Sequence, residues 1–352
     1  MSTYRLAPAS QERLWRAYLG SNHRANAAAD TLAAEPTQLW RTDVGRGVVG
    51  APALTEDLVV LSQVDRQVTV LERGTGRIVW RRRLGQNVGA GPLVDRDRVL
   101  VGTQTGDGEV LALDLASGRR LWDERLGDVA APLAADDAQV YAGTVSGLVA
   151  AYSTAAGERA WRVQLRGAVR AAPVPVAGGV IVATDGDSLY LLDRHSGTVR
   201  ARRGTPGTVL AAPALADSVL VFGTTTGRLE ACDTATLATR WTLDVGGEVM
   251  GAVAVQRDTA FVLTHDGTLW RVPLAAPPGA VHAATGVVAR GGPAPVAGGV
   301  LVADVTGRLS LVGAGGAAQW TVTIHPPLAE PAVVDGRYFV VVSERGQVEA
   351  FR

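Results

Sequence analysis

The sequence contains no lysine: all 34 basic residues are arginine, matched by 34 aspartates and glutamates for a formal net charge of zero. Without lysine there is no Schiff-base nucleophile and no Walker-type phosphate lysine. The balanced charge supplies no field to draw in nucleic acid or an anionic membrane. One cysteine, Cys232, cannot make an intrachain disulfide, and on a strand it reads as a small buried hydrophobe. No run of 18 apolar residues occurs, because stretches such as 296–305 are broken by Gly and Asp, which excludes a membrane-spanning helix. Residues 1–9 lack the basic, apolar and cleavage regions of a signal peptide. The expectation is therefore either a cytosolic chain or one whose targeting segment lies upstream of the residues shown.

Recognisable chemistry is missing too. The five histidines, His23, His195, His265, His282 and His325, are scattered, with no H-x-x-x-H spacing. No nucleophile elbow, Walker loop or dinucleotide fingerprint stands between a strand and a helix. Asp114, Asp193 and Asp233 recur in one slot of a repeat, where turn bonding accounts for them better than acid/base work. No catalytic residue, cofactor-binding residue, metal ligand or cofactor is assigned, and the expectation is a protein that is not an enzyme.

What is present is repetition. The stretch 109–122, EVLALDLASGRRLW, holds a strand, a turn at Ser117-Gly118 and a second strand carrying Trp122, which gives the motif A-x-D-x-x-x-G-x-x-x-W. Tryptophan recurs at Trp40, Trp80, Trp122, Trp161, Trp241 and Trp320, with Ala201 and Val281 in the two vacant slots. Proline marks a second register at Pro52, Pro92, Pro132, Pro173, Pro213, Pro293 and Pro331, with Val253 in the gap. Both registers count eight at a spacing of about 40, with an apolar strand and a turn glycine between them.

Four short strands per period predict an all-β, eight-bladed β-propeller of four-stranded antiparallel blades. The inner strand is placed around the proline and the outer around the tryptophan. Residues 348–352 reach only the third strand of the eighth blade, and 39–44 can supply the fourth, closing the ring. Residues 39–352 thus read as a single propeller domain and 1–38 as an N-terminal arm and connector. In the arm, Ser10 can cap a short helix with Leu14, Trp15, Tyr18 and Leu19 on one side and Gly20 at its end. That arm is expected to pack on a face or the rim of the ring, or to meet a partner. Residues 22–36 show no strand pattern. The six tryptophans are assigned to blade-to-blade docking. The arginine clusters 81–83, 119–120 and 202–203 protect exposed strand edges or form an anionic-ligand patch. Pro273, Pro277 and Pro278 predict an irregular outer edge in blade six, near 272–284, either tolerated there or used by a partner.

The copies ALDLASGRRLW, LERGTGRIVW, AYSTAAGERAW and ACDTATLATRW resemble the repeat of the pyrroloquinoline-quinone (PQQ)-type propeller superfamily, over residues 40–352. Within it the bare eight-blade layout is most similar to BamB-like lipoproteins, scaffolds of outer-membrane β-barrel assembly. That resemblance implies a protein-binding role at the periplasmic face of the outer membrane, a lipid anchor upstream of the sequence shown, and a BamA-like barrel insertase as partner. The family's contact loop between the third and fourth blades corresponds here to 165–170, and its acidic pair is replaced by 207–210. The resemblance therefore implies Arg166 and Arg170 as partner contacts, with Leu165 as an apolar anchor. The alternatives are a PQQ/Ca-dependent quinoprotein dehydrogenase and a cytosolic or regulatory binding module. The quinoprotein enzymes are longer, commonly carry an adjacent-cysteine disulfide over the cofactor and use Asp, Glu, Asn and Arg around calcium, whereas this sequence has one cysteine and no insertions to build a cofactor lid.

Overall fold

Gly118 shows how one repeat is made. Its φ of 69° lies in the left-handed region, its N–H donates to the Asp114 carbonyl at 2.8 Å, and Asp114 Oδ1 accepts the Ser117 N–H at 2.8 Å. The chain reverses there, and Glu109–Asp114 pairs antiparallel with Arg120–Arg125. The preceding turn uses hydroxyl chemistry: Thr144 Oγ1 accepts the Leu148 N–H at 2.9 Å, and Thr264 and Ser343 do the same for Thr268 and Gln347. These two turns, repeated, produce eight sheets.

The computed structural model describes residues 28–31, 35–289, 291–324, 328 and 330–352. The arm helix expected after Ser10, as well as His23 and His325, lies outside them. Among the described residues there is no α-helix, and so none long and apolar enough to cross a membrane. Blade one consists of Ala53–Leu54, Leu58–Gln63, Gln67–Glu72 and Ile78–Arg83, from the axis outward, and the later blades repeat that order. Middle strands are buried on both sides, as Leu58–Gln63 is throughout its length. The hydrophobic clusters lie between adjacent blades. One joins Val60, Val70 and Leu58 of blade one to Val99, Leu111 and Leu113 of blade two.

Ring closure follows the expected route. Gln38–Asp43 pairs with Gln347–Phe351 as the fourth strand of blade eight, and Thr37 and Arg352 exchange backbone hydrogen bonds of 2.9 and 3.0 Å. Two expectations are not met. Most of the marker prolines stand just before the inner strand, as Pro52 precedes Ala53–Leu54, because an imide at the first position spares the ladder a missing donor. The connector is also not free of strand. Ala28–Thr31 pairs parallel with Ala294–Ala297, the inner strand of blade seven, so this part of the connector runs along the axis. A four-residue segment carries no readable alternation; the open inner edge of blade seven supplies its partner groups.

The ring has two unlike faces. Connectors between blades leave beside the turn joining the second and third strands: Leu84 N–H donates to Arg66 O at 2.7 Å and Leu165 N–H to Gly147 O at 2.8 Å. This is the loop face. The opposite, hairpin face carries the Asp-Gly reversals. Parallel pairing makes Ala28–Thr31 run from the loop face toward the hairpin face, where Thr37 meets Arg352.

Candidate protein-docking face

The connector from blade three to blade four builds one side of the loop face. Leu165 is buried at 5% exposure among Val163, Trp161 and Val169, so it cannot serve as a surface anchor; its side chain closes the blade interface. Gly167 turns the loop at a φ of 92°. Asp185 then clamps it, since Oδ1 accepts the Ala168 N–H at 2.5 Å and Oδ2 lies 3.3 Å from Arg170 Nε. Arg166 and Arg170 both remain exposed. The geometry thus brings two of the three expected contact residues to the surface and withdraws the third.

Arg170 also reaches the mouth of the central channel, a cavity of about 350 Å³ to which all eight blades contribute. Its rim follows the 40-residue period. Blades one to three present Gly50, Ala90 and Ala130, while the other side carries Arg170, Leu210, Met250 and Glu330. Met250 is 49% exposed, unusual for a large apolar side chain. Sequence reasoning noted Leu210 only within the stretch 207–210 and missed Met250 and Glu330, although the signal was present: each stands one to three residues before the proline slot, where blades one to three have only Gly, Ala or Val. Among the described residues the mouth is consequently one-sided, with bulk, charge and an apolar tip on blades four to six and eight.

The six marker tryptophans hold this platform flat. Trp80 Nε1 donates to Leu115 O of the next blade at 2.8 Å, and a Cβ on Gly118 would lie 2.7 Å from the Trp80 ring. Trp40, Trp122, Trp161 and Trp241 bond the equivalent carbonyls of Arg73, Thr154, Arg194 and Leu274 at 2.7 to 3.2 Å. Trp320 stacks on Phe339 in the closing blade. The arginine clusters divide: Arg82 and Arg202 are exposed on outer strands, whereas Arg203 is drawn to Glu230 and over the Phe222 ring of blade five.

A quinone and calcium do not fit this mouth. Among the described residues, Arg170 and Glu330 are its only charged lining residues, its walls are mostly Gly and Ala, and no aromatic ring lines it to stack a planar cofactor. Among the described residues, no three His, Cys, Asp or Glu side chains converge to hold a metal ion.

Fold and repeat define an eight-bladed propeller of the PQQ type. A family model described as outer membrane protein assembly factor BamB matches residues 4–131, 106–207 and 200–288. The chain belongs to that family. It is 29% identical over 132 residues to the outer membrane protein assembly factor BamB of Burkholderia pseudomallei, covering 37% of this chain and 34% of that protein. Alignments with the curated BamB relatives span about a third to a half of their length. Among solved structures, BamB from Moraxella catarrhalis superposes with a TM-score of 0.77 at 19% identity, over 91% of this chain and 98% of that one. Quinohemoprotein alcohol dehydrogenase from Comamonas testosteroni superposes at 0.76 with 15% identity, over 97% of this chain and 81% of that one. At these identities both superpositions speak to fold alone.

Proposed function

We propose that this protein is a non-enzymatic scaffold in outer-membrane β-barrel assembly, working at the periplasmic face of the outer membrane. Its loop face docks a protein partner, in this reading a BamA-like barrel insertase. The observation that carries the proposal is the one-sided rim, where exposed Met250 and half-buried Leu210 share the mouth with Arg170, and Arg166 stands exposed on the same connector as Arg170. An apolar tip flanked by guanidinium groups is the composition of an interface anchor. The face is also broad enough to offer the roughly 800 Å² that a specific partner covers. Family membership supplies the biological setting, and a mouth walled by Gly and Ala speaks against quinone catalysis.

The test is binding of the purified chain to the periplasmic region of the insertase from the same organism. Saturable binding is expected, and R166E/R170E should weaken it at least tenfold. Met250→Asp should weaken it independently of salt. No binding, or binding indifferent to all three changes, overturns the assignment of this face. Titration with PQQ and Ca²⁺ tests the dehydrogenase reading that the second superposition raises; no uptake is expected, and saturable binding of quinone would make the protein a candidate enzyme instead of a scaffold.

A further inference from the structure

The outer strands of the ring are not protected alike. An edge strand offers unpaired N–H and C=O groups to any extended chain, and charged side chains are the usual guard. Arg82, Arg120, Arg162, Arg202, Arg240 and Arg41 stand exposed on the outer strands of blades one to five and eight. The outer strand of blade six, Val281–Ala284, has no Arg, Asp or Glu, and its Val281 is 56% exposed. It is also shortened to four residues after the prolines at 273, 277 and 278. Ala318–Thr323 of blade seven is uncharged as well, but it exposes Gln319, Thr321 and Thr323, and its Trp320 fills the seam against Phe339.

A groove of about 360 Å³ opens beside the blade-six edge, between blades six and seven on the hairpin face, with Phe261, Pro273, Val281, Val296 and Val300 in its walls. Its origin is the vacant tryptophan slot. At the seams after blades one to three, five and eight an indole lies across the next hairpin and bonds a backbone carbonyl. Here the slot holds Val281, and Arg271 bonds the corresponding carbonyl, Ala314 O, at 3.0 Å and the preceding one, Gly313 O, at 2.7 Å. The hydrogen bond is replaced while the volume of the ring is not.

We propose that Val281–Ala284 is a strand-addition site: an uncharged, extended segment of another polypeptide pairs with this edge and places a large apolar or aromatic side chain in the neighbouring groove. Main-chain bonds along the edge supply affinity and the groove supplies selectivity. Charge and shape together select the site. A neutral strand meets guanidinium groups on six edges, and of the two uncharged ones only blade six lacks the indole that would close its seam. The inference goes beyond the docking of an insertase on the loop face and does not rest on it, since it concerns the opposite face and the rim.

The experiment uses the full chain and a labelled ten-residue peptide of alternating Thr and Val with one central Trp. Fluorescence anisotropy is expected to show saturable binding, and hydrogen exchange should slow at the amides of 281–284. V281R/A283R should weaken binding at least tenfold, as should Ala in place of the peptide's Trp, while Arg202→Thr on blade four should leave it unchanged. Circular dichroism checks that the double variant folds, and the exchange map on the unaltered protein stands without it. Protection on another blade, equal affinity in V281R/A283R, or protection of 281–284 by self-association without peptide would each overturn the proposal.

Discussion

At the residue scale, the two departures from the tryptophan register are met by different repairs. The slot after blade four holds Ala201, and the hairpin it faces on blade five has Leu237 where the other well-kept repeats have glycine. Leu237 keeps the left-handed backbone, at a φ of 59°, and is 1% exposed, packed with Leu191, Phe222 and Ala201. The leucine fills from one blade the space an indole fills elsewhere from its neighbour. Leu237→Gly alone should lose about 2–5 kcal/mol through the cavity it opens, less about 1 kcal/mol of relieved backbone strain. Ala201→Trp alone should destabilise by overpacking. The double variant should recover part of both losses, with a coupling of about 0.5–3 kcal/mol in urea unfolding; strict additivity would show that the two sites do not share the space. For comparison, Trp161→Ala should cost about 3–5 kcal/mol. Both odd residues were visible in the sequence, but their pairing was not, because the contact runs between successive blades and the repeat was aligned within each one. Cys232 lies in the same cluster, and burial pushes its thiol up to about 12. It should ignore an aromatic disulfide reagent at pH 8 until the chain is unfolded.

At the scale of elements, strands and reversals were legible because each depends on local chemistry. Alternation reports burial, while Asp and Gly report a turn. Asp233 extends this to acid stability. Its carboxylate bonds Arg240 at 2.8 Å and accepts the Ala235 and Thr236 N–H groups, and these partners, Arg240 first, lower its pKa from 3.8 to about 2. Hydrogen bonds, led by Ser196 and Thr264, hold Asp193 and Asp266 below the ordinary carboxylate range as well. Burial pushes Asp304 the other way, and its bonds to Thr306 and Arg308 outweigh that push. A depressed folded pKa means the unfolded chain binds the proton more readily. The contribution is therefore present above about pH 4 and lost as pH falls toward 2. Glu349, raised chiefly by burial, works in the opposite direction. Asp233→Asn should flatten the fall in thermal midpoint between pH 4 and 2 relative to the parent; a parallel fall in both would remove Asp233 from the acid limb. Connectors were less legible. Burial of Leu165 and capture of Ala28–Thr31 by blade seven depend on neighbours distant in sequence, and a short segment carries no period to announce either.

For the molecule as a whole, stability turns on one seam. The four radial strands of every other blade are continuous in sequence, but blade eight joins 38–43 to 347–351, and it is locked from both sides. Gln38 Nε2 donates to Glu349 Oε2 at 2.6 Å, with Arg41 Nε 3.5 Å from the same carboxylate. Across to blade one, Trp40 Nε1 bonds Arg73 O, while Arg73 pairs with Asp335 at 2.6 Å and lies 4.2 Å over the Tyr338 ring. Removing residues 1–43 deletes one strand and also the indole that seats blade one, leaving Gln347–Phe351 as an open, apolar edge. Removing only 1–34 spares the seam and takes away the axial strand. The longer deletion should therefore broaden the calorimetric transition and drive concentration-dependent association in sedimentation, because a ring with a gap unfolds from its exposed blade and offers that edge to other chains. The shorter one should keep a single sharp transition and stay disperse. If both deletions behave alike, closure is not what makes the eight sheets act as one, and the clusters between neighbouring blades must suffice to hold an open array.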